Sequence, residues 1–149
     1  MTGRSLSFLA IVLTALALVP GGAHLLELAN KIGLPQEPYF IVQGIYRGWS
    51  LLGIVLFAAL FANLACALAL RHQPVPFRLS LGAVVCLAAT LIVFFIWTYP
   101  ANQATANWTQ VPSDWMALRR QWEYSHAVNA VVTFVALCLA TVSGLARRP

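Results

Sequence analysis

Charge is scarce in this chain: 9% of its 149 residues are Asp, Glu, Lys or Arg, where an ordinary soluble domain has roughly 25%. Acids are scarcer still, at four. This composition excludes a water-soluble globular domain, whose surface needs charge. Cysteine is also sparse. Cys66, Cys86 and Cys138 lie inside apolar runs without CxxC spacing, which argues against a disulfide framework or a thiolate metal site and reads them as small buried hydrophobes. No internal repeat or low-complexity segment is present. The net charge of +5 is not gathered into the basic face of a nucleic-acid binder, so nucleic acid is not an expected partner.

Apolar residues are abundant, at 60%, and fall into four runs near the ~20 residues that a helix needs to cross a bilayer. The expected fold is all-α, an integral membrane four-helix bundle forming one domain over residues 1–149, with helices at about 5–31, 39–70, 79–97 and 114–145. Pro74 and Pro76 are expected to stop helix between the second and third crossings. Arg4, Arg71, Arg78, Arg147 and Arg148 gather at the short-loop face with no acid among them, so the positive-inside rule makes that face, and both termini, cytoplasmic. The other face carries all four acids, Glu27, Glu37, Asp114 and Glu123, beside Lys31, Arg47, Arg119 and Arg120. The expected location is the cell (inner) membrane, multi-pass, with the lipid bilayer as surroundings. A rival reading takes Arg4, the apolar Ser5–Val19 and Pro20-Gly21-Gly22-Ala23 as a secretory signal with its cleavage site. The helical pattern resumes at His24, which favours a retained first helix kinked at Pro20.

Ionisable residues inside a membrane segment are costly and mark functional sites by default. Two pairs qualify: His24 with Glu27, and Glu123 with His126, each three residues apart and so on one helical face. Each histidine lies roughly 28 Å of helix from the far end of its crossing, so both reach a similar depth. If the first and fourth helices touch, they present a His2Glu2 set suited to a single Fe, Mn, Zn or Cu ion. A ferritin-like di-iron centre would need two further carboxylates, and only Glu37 and Asp114 remain. Bis-histidine haem ligation by His24 and His126 is a weaker option. The plain structural alternative is ion pairing at i, i+4, Glu27 with Lys31 and Glu123 with Arg119. His72 beside Arg71 reads as solvated or bound to lipid phosphate.

Polar residues extend these faces. Trp115, Arg119, Trp122, Glu123, His126, Asn129 and Thr133 recur along the fourth helix, and Tyr39, Gln43, Tyr46, Arg47 and Ser50 along the second. The two stripes outline a vestibule, with Gln43, Tyr46 and Asn129 as hydrogen-bond partners of the site. Taken singly, Trp97, Tyr99, Trp108 and Trp115 read as an interfacial aromatic belt. Asn107-Trp108-Thr109 matches a glycosylation sequon, a short and unspecific motif.

The segment Trp115-Met-Ala-Leu-Arg-Arg-Gln-Trp-Glu-Tyr-Ser-His126, preceded by Pro100-Ala-Asn102, resembles the anthrone oxygenase-like family of small four-helix membrane proteins. The matching positions are Asn102, Trp115, Leu118, Arg119, Trp122, Glu123 and His126. Fungal members tend to have Asn on both sides of the proline, where this chain has Tyr99 and Ala101. The resemblance implies a four-helix membrane fold and an oxygenase without an obvious organic cofactor. The expected function is a metal-dependent membrane oxidoreductase or oxygenase acting on a lipophilic aromatic or quinone-like substrate. In it His24, Glu27, Glu123 and His126 bind metal while Arg119 and Asn102 orient a substrate oxygen. The alternative is a non-catalytic structural or accessory subunit of a larger membrane complex, with a homo-oligomer as a further possibility.

Overall fold

A computed structural model describes residues 3–147; Arg148, counted above with the cytoplasmic charges, lies outside them. Six α-helices follow in order: α1 (Gly3–Lys31), α2 (Gln36–Gln43), α3 (Gly53–Ala69), α4 (Pro74–Val93), α5 (Tyr99–Ala104) and α6 (Trp115–Leu145). They make four apolar spans long enough to cross a bilayer, Arg4–Lys31, Trp49–Ala69, Pro74–Ala104 and Trp115–Leu145. The protein is a multi-pass membrane protein. α1 packs on α3 and α6, and α4 also packs on α3 and α6, which closes the bundle and brings the first and fourth spans together.

The fourth span matches the expected boundaries within one residue, and the first is a single helix through Pro20. Within the Pro20–Ala23 stretch, Gly21 packs against α6. A Cβ on Gly21 would stand 3.3 Å from the Ala130 Cα of α6, so the glycine lets two backbones approach as small residues do between membrane helices.

The second crossing is not one helix over 39–70. α2 ends at Gln43, short 3-10 turns follow at Gly44–Tyr46 and Trp49–Leu52, and α3 begins only at Gly53. Gly44, Gly48 and Gly53 lie within ten residues of sequence, each a poor helix former. Gly48 adopts φ +86°, open to glycine at little cost.

The third crossing is longer than 79–97. Pro74 and Pro76 begin α4 rather than interrupting the chain, because a first-turn residue needs no amide donor. At the other end the helix runs through a π-helical turn, Phe94–Thr98, into α5. That wider turn accommodates Pro100, whose ring would clash with a regular preceding turn.

The interior is built from small residues. Ala59, Ala83, Ala136 and Ala140 surround Leu87, and Ala10, Ala62, Cys66 and Leu70 form a second cluster. Large apolar side chains such as Phe8, Ile54, Phe61, Val85 and Phe134 are exposed around the outside, as lipid-facing residues should be. Several buried polar groups in the helical core are paired. Asn63 donates to Thr14 Oγ1 at 2.9 Å and to the Ala59 carbonyl at 2.8 Å. Ser80 and Ser143 bond at 2.8 Å, and Ser143 donates to the Pro76 carbonyl at 2.8 Å.

The close approach at Gly21 predicts that Gly21→Leu, by overpacking against Ala130, lowers stability by about 1–3 kcal/mol. Denaturant unfolding in detergent measures this; a variant as stable as the wild type would show that the two helices are not held in contact there.

Candidate functional site

The ends of α1 and α6 and the broken segment between α2 and α3 meet in one polar, aromatic cluster. Lys31, in the last turn of α1, is 3% exposed. Its Nζ lies 3.4 Å from Glu27 Oε2 and 3.3 Å from Glu123 Oε1, and it donates to the Tyr46 hydroxyl at 2.6 Å. The same ammonium lies 4.4 Å from the Tyr46 ring centroid and 5.1 Å from that of Trp122, within cation–π range. Tyr46 donates to Glu27 Oε2. Glu123 is fully buried and accepts from the Tyr39 hydroxyl at 2.9 Å.

Beside this ion-paired group lie the two histidines. Their ring centroids are 4.2 Å apart with planes tilted by 32°. His24 is buried and also meets Tyr46 at 4.4 Å, Trp122 at 4.9 Å and Trp49 at 5.6 Å. His126 lies 4.3 Å from Trp122. Among the described residues, His24 Nδ1 and Glu123 Oε2 are buried without a hydrogen-bond partner.

Helix periodicity explains half of this arrangement, since His24, Glu27 and Lys31 fall at i, i+3 and i+7 on α1. Lys31 was legible in that spacing as a third member of the face, not only as a partner of Glu27. Glu123 turns to Lys31 across the helix pair rather than to Arg119 on its own helix. Arg119 instead donates to the Leu34 carbonyl at 2.6 Å, with its guanidinium 4.8 Å from the Trp115 ring centroid and 5.3 Å from that of Tyr39. Asn102 accepts from the Trp122 indole at 2.7 Å. Glu37 and Asp114 are exposed, and Gln43 and Asn129 each keep an unpartnered buried amide atom.

The aromatic residues divide into two groups. Trp97 and Tyr99 are exposed at the rim, whereas Trp108 is buried against Tyr39, Phe40 and Trp122. Ala106, Asn107 and Trp108 have φ of 47°, 56° and 63°, a left-handed run that costs on the order of 1–3 kcal/mol per non-glycine residue. This run turns the Trp108 indole into the aromatic cluster, where its Nε1 is buried without a hydrogen-bond partner. Asn107, the sequon asparagine, is exposed.

As arranged, the four candidate ligands do not form one metal-ligand set. The imidazoles face each other ring to ring, and the carboxylates turn to an ammonium. Among the described residues no group of three or more His, Cys, Asp or Glu side chains is placed to hold an ion. Two free donors remain, His24 Nδ1 and Glu123 Oε2. Comparison with known proteins adds no identity: no family model, curated protein or solved structure matches the chain.

Burial raises the Tyr39 phenol above the ordinary tyrosine value, with the Glu123 carboxylate adding to the effect. Tyr46 is raised by burial and by its bond to Glu27. The folded chain therefore holds protons that the unfolded chain releases from about pH 10. Their contribution to stability is complete below that pH and declines as pH rises above it. Unfolding midpoints measured between about pH 8 and 11 should fall at the alkaline end, and less steeply in Tyr39→Phe. Equal slopes in variant and wild type would contradict this.

Proposed function

We propose that the protein is a membrane oxidoreductase that passes electrons from a lipophilic aromatic or quinone-like substrate to dioxygen at the polar end of the bundle. The observation that carries this reading is His24, a buried imidazole with a free Nδ1, walled by the rings of Tyr46, Trp49, Trp122 and His126. The free nitrogen of such an imidazole can accept a hydrogen bond from a substrate hydroxyl, and its aromatic walls suit a flat, apolar substrate.

In this proposal His24 Nδ1 accepts a hydrogen bond from a hydroxyl of a bound quinol and orients it for oxidation. Dioxygen is the co-reactant. The quinol gives up two electrons and two protons and becomes the quinone; dioxygen gains both and leaves as hydrogen peroxide. Asn102, whose Oδ1 is taken by Trp122, offers its amide nitrogen to a substrate oxygen, and Arg119 Nε is unpartnered.

An open groove of about 520 Å³ shares Asn102 with this site, though His24 does not line it. Phe94, Phe95, Tyr99, Asn102 and Ser50 line it. Its aromatic wall comes from the π-helical turn and its polar rim from α5, and Asn102 connects it to Trp122 beside the histidines.

Purified protein in bilayers should consume oxygen with at least one of a panel of lipophilic quinols and anthrones, and His24→Ala should slow this at least about 100-fold. No uptake across the panel would overturn the reading and favour a structural subunit.

A further inference from the structure

We propose that Lys31 is the resident cation of this centre: its ammonium holds, between Glu27 and Glu123, the position a divalent ion would otherwise take. Lys31 is then the residue that sets the centre's specificity against metal. The inference stands independently of the oxidoreductase reading, since it concerns only which cation the carboxylates hold.

Four observations carry it. The ammonium is nearly equidistant from the carboxylates of two helices, 3.4 Å from Glu27 and 3.3 Å from Glu123. It is 3% exposed and faces the rings of Tyr46 and Trp122, so the surroundings are built around a positive charge. The Tyr46 hydroxyl accepts from the ammonium and donates to Glu27, which fixes the ammonium within the group. Finally, the second oxygen of Glu123 and the Nδ1 of His24, whose ring lies 4.4 Å from that of Tyr46, are buried without a hydrogen-bond partner. A metal ion would recruit them, but beside Lys31 it would set three positive charges against two negative ones. Lysine is tethered one turn from Glu27, so it competes as an intramolecular ligand at high effective concentration.

The test compares wild type, Lys31→Arg, Lys31→Met, Lys31→Gln, Glu123→Gln and Lys31→Met/Glu123→Gln, purified in detergent without an affinity metal. Each is titrated with cobalt(II), followed by its visible absorption and by metal content after desalting. Wild type and Lys31→Arg should retain no stoichiometric cobalt, Lys31→Met about one equivalent, and the double variant none. A Lys31→Met protein that folds only with cobalt also supports the proposal. Stoichiometric cobalt in wild type that Glu123→Gln abolishes would overturn it, as would folded Lys31→Met without cobalt. Failure of both Lys31→Met and Lys31→Gln to fold, with or without cobalt, would overturn it too, since an ion fitting the ammonium's place must restore the fold.

Discussion

The polar end of the bundle depends on one buried positive charge. Lys31 has an ammonium with three donors, and Glu27, Glu123 and Tyr46 receive them. Two carboxylates left unpaired at this depth would be costly. Paired through Lys31, they bind α1 to α6 and to the broken segment that carries Tyr46. Tyr39, from α2, adds a fourth element through Glu123. With Arg119 anchored on the Leu34 carbonyl, two acids and two bases balance in formal charge, which makes the group tolerable at the membrane boundary.

Packing below and strain above complete the arrangement. Gly21 lets α1 lie directly on Ala130 of α6, and one turn further along α1 the same approach stacks His24 on His126. Above them, the left-handed run at residues 106–108 turns Trp108 inward over Tyr39 and Trp122. The histidines thus sit between a tightly packed helix pair and an aromatic cover, with the Lys31 group at their side. The His24 imidazole there is held in orientation and kept from water.

Much of this was legible in the sequence. Four apolar runs announced the spans, and His24 and His126 were expected at equal depth, but whether the first and fourth helices touch was not legible. α6 was readable nearly to the residue because its apolar period is long and unbroken. The second crossing was not, because three glycines end regular helix where the apolar run itself continues. Tyr39 and Tyr46 appeared in the sequence as points on one helical stripe, yet they reach Glu123 and Glu27 because that helix is broken. The bond between Asn102 and Trp122 was hidden for a related reason: it needs the π-helical turn that carries the third span through Pro100. Pairing of Glu123 with Lys31 over Arg119 is a tertiary preference that i, i+4 spacing cannot express.

The shared ammonium is the claim on which the rest stands, and solid-state NMR in lipid bilayers measures it directly. Dipolar coupling between an isotope-labelled Lys31 Nζ and the labelled Glu123 carboxyl carbon should be strong, as a 3.3 Å contact between nitrogen and carboxylate oxygen requires. Absence of that coupling in folded protein, with the ammonium coupled to Glu27 alone, would contradict the account.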